Sequence, residues 1–66
     1  MQIKINGEAA EVEEAIPMAA LIATLALTGK RIAVELNGEL VPRSRFDRQL
    51  LGAGDRVEII QAVGGG

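Results

Sequence analysis

Two Asn-Gly dipeptides, Asn6-Gly7 and Asn37-Gly38, constrain this chain more than any other feature of its sequence. Both residue types accept positive φ, which a two-residue hairpin turn requires, and each dipeptide closes a run of alternating residues. In the first run Met1, Ile3 and Ile5 share one face, and Gln2, Lys4 and Asn6 the other. In the second, Ile32, Val34 and Leu36 alternate with Ala33, Glu35 and Asn37. Each run predicts a half-buried strand that turns back on itself. The first return strand rests on Ala10 and Val12, a weak alternation. The second passes through Glu39, Leu40 and Val41 to Pro42, whose missing N–H favours a sheet edge.

Between the two hairpins, Ala15 to Leu27 carries no charge. Met18, Leu21, Ile22 and Leu25 recur at i, i+3, i+4 and i+7, the spacing of one apolar helix face, and Leu27 extends the core side. Pro17 suits the first turn because its absent N–H would be unpaired there, and Glu11, Glu13 and Glu14 sit just ahead, where the helix dipole favours anions. Gly29 is the expected left-handed cap, followed by Lys30 and Arg31. The opposite face, with Ala19, Ala20, Ala23, Thr24 and Ala26, reads as a surface covered by water. The run is shorter than the roughly 20 residues that span a bilayer, and it follows an acidic segment rather than a basic signal-peptide start. A soluble, cytoplasmic protein without a membrane partner is expected.

Downstream, Arg43 to Leu51 reads as a short helical turn that packs Phe46, Leu50 and Leu51 on the sheet, and Gly52-Ala53-Gly54-Asp55 as a turn. Arg56 to Ala62 then forms the last strand, with Val57 and Ile59 on one face and Glu58, Ile60 and Ala62 on the other. The order of elements predicts an α+β domain of the β-grasp, or ubiquitin-like, kind. Its mixed sheet of four to five strands packs on one main helix, with an additional short helical turn. With the first and last strands parallel at the centre, their apolar faces would meet Met18, Leu21, Ile22 and Leu25. The domain spans residues 1–62, and residues 63–66 form a flexible glycine-rich tail.

Composition narrows the chemistry. A 66-residue chain is a single domain that buries only about 60% of its unfolded surface, which leaves no deep cleft for an enzyme of its own. There is no cysteine and no histidine, hence no thiol nucleophile and none of the usual zinc ligands, and the glutamates lack the alternation of a calcium loop. A net charge of -2 and a lone aromatic, Phe46, argue against a nucleic-acid partner. Neither a bound metal nor a bound cofactor is expected. Arg43 and Arg56 read as solvated charges.

The remaining chemical candidate is the end of the sequence, Val63-Gly64-Gly65-Gly66. Glycine has no Cβ, so such a segment passes through channels too narrow for side chains. Four extended residues reach roughly 13 Å at about 3.3 Å each, enough to carry a carboxylate into another protein's pocket. Ile60 and Ala62, together with Phe46, are the candidate apolar docking patch beside it.

Three segments, MQIKINGE, LALTGKRIAVELNGELVPRS and GDRVEIIQAVGGG, together resemble the ThiS family, the sulfur carriers of thiamine biosynthesis. The resemblance covers nearly the whole chain. Val34 to Ser44 and Gly54 to Gly66 carry most of it, because a terminal Gly-Gly alone is shared with ubiquitin-like modifiers and the small subunit of molybdopterin synthase. Two stretches depart from the family pattern, and the helix also lacks the acidic residues often found on its outer face. Glu14-Ala15 stands where Asp-Gly is frequent, and Ile16-Pro17-Met18 where the helix entry is usually Ala-Thr-Val, so the threonine cap is lost.

The resemblance implies a protein co-substrate rather than an enzyme. A ThiF-type adenylating enzyme would use ATP and magnesium to activate the Gly66 carboxylate, and a persulfide donor protein would convert it to a thiocarboxylate. Thiazole synthase would accept the sulfur. Gly64 and Gly65 would give clearance for threading, and Val63 the last anchoring side chain. The alternatives are the molybdopterin synthase type of carrier, a modifier conjugated to lysine through Gly66, and an interaction module with an inert tail.

Overall fold

A computed structural model describes residues 1–62, which form a five-stranded mixed sheet covered on one face by a single helix. In chain order the elements are β1 (Gln2–Ile5), β2 (Glu8–Glu11), α1 (Met18–Thr24), β3 (Ile32–Leu36), β4 (Glu39–Val41), a 3-10 turn (Arg43–Arg45) and β5 (Arg56–Gln61). The sheet order is β2-β1-β5-β3-β4, so two hairpins flank the last strand. β5 runs parallel to β1 and antiparallel to β3.

Both hairpins close as the Asn-Gly dipeptides dictate. Ile5 pairs with Glu8 across Asn6 (φ 50°) and Gly7 (φ 85°), and Leu36 pairs with Glu39 across Asn37 (φ 52°) and Gly38 (φ 87°). Two consecutive positive φ values make the twisted turn that matches the strands on either side. β4 is an edge strand and ends at Val41, just before Pro42.

The helix face of the sheet is the core. Ile3, Val34 and Val57 from β1, β3 and β5 are buried against Met18 and Leu21 of α1, all five at 2% exposure or less. Burying a side chain of this kind contributes about 1.5–3 kcal/mol relative to leaving it exposed, before the cost of ordering the chain is counted. Phe46 and Leu51, from the segment after β4, complete the core. Leu50 does not: it is 55% exposed, because its backbone pairs with Pro17 in an isolated antiparallel bridge and its side chain points away from the core.

Both ends of α1 differ from the sequence expectation. Pro17 is the N-cap, with extended backbone (ψ 150°) and no side-chain cap, rather than a residue of the first turn. The first free N–H groups are taken by carbonyls of a distant segment. Met18 N–H donates to Gln49 O at 2.7 Å and Ala19 N–H to Phe46 O at 2.8 Å. Ala20 and Leu21 donate to Pro17 O. Backbone from 46–51 therefore does the work of the missing threonine hydroxyl.

The helix also stops earlier than Gly29. Leu25 is the C-cap and Ala26 adopts φ 60°. Ala26 N–H donates to Ala23 O and Leu27 N–H to Ile22 O, both at 3.0 Å, the paired bonds of a Schellman ending. Leu27, half-buried just beyond, supplies its hydrophobic contact. Gly29 (φ 80°) belongs to the turn that follows.

Ala26 thus holds a left-handed conformation that costs an L-residue about 1–2 kcal/mol and glycine almost nothing. Ala15 (φ 55°) does the same, at a position where glycine is frequent in the ThiS pattern. Glycine's greater freedom in the unfolded chain offsets part of the gain. Ala26→Gly and Ala15→Gly should therefore each raise unfolding stability by about 0.5–1 kcal/mol, read from urea denaturation midpoints. A lowered midpoint for Ala26→Gly would contradict the strain assigned to that residue.

Candidate functional site

β5 runs through the middle of the sheet and is the last element of the described residues. Asp55 prepares its start. One carboxylate oxygen accepts Gly52 N–H at 2.7 Å, and the other accepts the Asn37 side-chain amide at 3.1 Å. Asn37 Oδ1 in turn accepts Arg56 N–H at 2.9 Å. One turn residue of the second hairpin therefore holds both the turn before β5 and its first residue.

Asn6, the matching residue of the first hairpin, holds the middle. Its Oδ1 accepts Ile59 N–H at 2.8 Å and its Nδ2 donates to Ile59 O at 3.3 Å, across 53 residues of sequence. An amide that donates and accepts in this way imitates a neighbouring strand. It extends the β1–β5 ladder, whose paired residues are Lys4–Arg56 and Ile5–Val57. At the far end, Ala62 N–H donates to Arg31 O at 2.8 Å. The strand is fixed at its start, middle and end.

Around Ala62 lies a shallow groove of about 320 Å³, lined by Arg31, Ile32, Ala33, Arg43, Ile60 and Ala62. Ile60 points out of the sheet opposite Ala33 and is 60% exposed. Arg43 is exposed, as expected of a solvated charge, and its Nη2 donates to Lys30 O at 3.1 Å. Another depression lies between the two Asn-Gly turns, at the opposite end of β5. Among the described residues, no group of three or more acidic side chains could share a metal ion, and no helix is long and apolar enough to cross a membrane.

The sequence-derived candidates separate. Ile60 and Ala62 are both exposed and line one groove. Phe46 does not join them. It is 9% exposed and belongs to the core with Met18 and Leu21, because the turn after β4 swings its ring to the helix side of the sheet. The apolar docking patch therefore loses its aromatic member. Val63, Gly64, Gly65 and Gly66 lie outside the described residues. Sequence reasoning took Asn6 and Asn37 as turn formers and missed their hold on β5, which no local spacing signals.

The ThiS family model matches residues 3–66, almost the whole chain. The chain belongs to the ThiS family. Its backbone matches the crystal structure of a thiamine biosynthesis protein, ThiS, from Geobacter metallireducens with a TM-score of 0.86, at 33% identity over 100% of both chains. The solution structure of a thiamine biosynthesis protein from the same organism matches at 0.82 over 88% of its length. The β-grasp arrangement expected from the order of elements is thus that of a ThiS protein.

Among relatives, the uncharacterized protein ycf40 of Porphyra purpurea is 38% identical and is covered over 93% of its length. A thiazole synthase of Paramagnetospirillum magneticum is 35% identical over all 66 residues, and the chain spans only 20% of that protein. A ThiS-like domain thus occurs within a longer polypeptide that bears the name of the synthase.

Asn6→Gly retains the positive φ of the turn and removes both side-chain bonds to Ile59. At roughly 0.5–1.5 kcal/mol per bond, a loss of about 1–2 kcal/mol is expected. Amide hydrogen exchange should locate it, with Ile59 N–H losing protection that Val34 N–H keeps. Equal changes at both amides would show that Asn6 serves the turn alone.

Proposed function

We propose that this ThiS-family protein is the sulfur carrier of thiazole formation in thiamine biosynthesis, and that the Gly66 carboxylate is its reacting group. The observation that carries the reading is the family match, which runs through Gly66 and includes the glycine-rich segment as well as the folded domain. Two further facts support it: the full-length likeness to the ThiS structure of Geobacter metallireducens and the ThiS-like stretch within a thiazole synthase.

A carboxylate is resonance-stabilised and a poor electrophile. In the proposed cycle a Gly66 oxygen attacks the α-phosphorus of ATP on a ThiF-type adenylating enzyme, with magnesium neutralising the departing pyrophosphate. The acyl-adenylate has AMP as its leaving group. The terminal sulfur of a persulfide on a donor protein displaces AMP, and a thiol then cleaves the resulting S–S bond, leaving a Gly66 thiocarboxylate and a disulfide. The thiocarboxylate gives its sulfur to the substrate of a ThiG-type thiazole synthase. As the C–S bond breaks, an oxygen from that substrate or from water bonds to the acyl carbon, and Gly66 returns to carboxylate. ATP and magnesium belong to the activating enzyme, and this chain is a co-substrate.

Gly64 and Gly65 give the clearance that the adenylating site requires, and Val63 is the last side chain available to anchor the segment. Intact-protein mass spectrometry after incubation with a thiamine-pathway adenylating enzyme, ATP, magnesium and a sulfide source should show oxygen replaced by sulfur at Gly66. An unchanged mass beside a working control carrier would refute the reading. Gly65→Leu should abolish ATP–pyrophosphate exchange while leaving the thermal unfolding midpoint unchanged. Normal exchange by the folded variant would remove the clearance role.

A further inference from the structure

The chain contains two asparagines, Asn6 and Asn37, and each is followed by glycine. An asparagine side-chain amide is an electrophile within reach of the next backbone nitrogen, and glycine, lacking a Cβ, leaves that nitrogen unhindered. Here the surroundings leave it open as well. No heavy atom beyond the chain neighbours lies within 4 Å of where a Cβ on Gly7 or Gly38 would stand, and neither N–H donates a backbone hydrogen bond among the described residues. Both asparagines are exposed to water.

What opposes the reaction is the grip of each side chain on β5. Ring closure requires the side-chain carbon to swing onto the glycine nitrogen, which breaks the bonds the amide makes. Asn6 would have to leave both backbone groups of Ile59, and Asn37 would have to leave Arg56 N–H and the Asp55 carboxylate. The two grips sit at different depths in the strand. Ile59 lies inside β5 and pairs with Val34, whereas Arg56 is its first residue and Asp55 precedes it. Strand ends open before strand interiors.

We propose that Asn6 and Asn37 are deamidation sites held closed by their bonds to β5, and that Asn37 converts first. The backbone nitrogen of Gly38, losing its proton to hydroxide, bonds to Asn37 Cγ. The Cγ–Nδ2 bond breaks and Nδ2 leaves as ammonia, which completes a five-membered succinimide. Water then opens the ring. Attack at the side-chain carbonyl gives aspartate, and attack at the main-chain carbonyl gives isoaspartate, whose backbone is longer by one methylene. Water is consumed, ammonia is released, and nothing is oxidised or reduced.

Either product damages the contact that the asparagine made. At position 37 a carboxylate would replace the amide that donates to Asp55 Oδ1 at 3.1 Å, setting two like charges against each other. At position 6 it would face Ile59 O, which now accepts the amide. Conversion therefore runs one way. A strand that opens long enough for the ring to form closes again with a weaker hold.

The test follows both sites by peptide mapping and mass spectrometry while the full chain stands in mildly alkaline buffer, either folded or in guanidinium chloride. Ile5 and Leu36, the residues before the two asparagines, are both aliphatic, so the unfolded chain should convert at similar rates at both sites. Folding should slow each site by about tenfold or more, the factor by which it reduces the open population, with Asn37 several-fold ahead of Asn6. Asp55→Ala should speed conversion of Asn37 alone, and Asn6 in the same molecule reports whether the variant has merely unfolded. Equal rates in the folded and unfolded chain would overturn the proposal, as would a folded chain in which neither asparagine converts. So would Asn6 converting first, or Asp55→Ala leaving Asn37 unchanged or speeding both sites alike.

Discussion

Lys4 N–H meets Asp55 O at 2.9 Å and Asn6 N–H meets Val57 O at 2.8 Å, and through these bonds the first strand of the chain holds the last. Without β5 the sheet falls into two separate hairpins, and a two-stranded hairpin alone is marginal in water. With it, β1 and β3 acquire a common neighbour and Val57 enters the core between Ile3 and Val34. Parallel pairing cannot be reached by a tight turn, so the chain between β1 and β5 must cross over, and that crossover contains α1. The helix and the central strand are consequences of one another.

The same pairing explains why the two turn asparagines matter beyond their turns. A parallel ladder of two residue pairs is short. Asn6 lengthens it by bonding both backbone groups of Ile59, and Asn37 secures the other side of β5 through Arg56 and Asp55. Each asparagine serves two purposes. Its backbone tolerates positive φ, and its side chain, freed by the turn, adds to the hold that strand pairing already gives β5.

Legibility in the sequence followed the range of the interaction. The hairpins, the inward faces of β1, β3 and β5, and the placement of β4 at an edge all follow from neighbours a few residues apart, through Asn-Gly, strict alternation and Pro42. The helix ends did not. Pro17 lacks a side-chain cap, yet carbonyls from the 46–51 segment satisfy the first turn. At the other end Ala26 accepts the strained conformation that glycine usually takes, so the signal at Gly29 was three residues late. Phe46 and Leu50 exchanged their expected prominence for a similar reason. The 3-10 turn and the bridge to Pro17 set which side chain faces the helix, and both depend on tertiary contact.

A strand fixed along its length also bears on the proposed chemistry. In the proposed cycle glycine would enter the narrow adenylating site because it has no side chain, and for the same reason it would give the partner little to grasp. Precision must then come from the root, and the root is as well placed as β5 itself. Asn6, Asn37 and the Ala62–Arg31 bond hold that strand while remaining outside the apolar core. Stability and positioning are thus partly separable in this fold. The core around Leu21 and Val57 determines whether the domain forms, whereas the polar contacts along β5 determine where that strand ends.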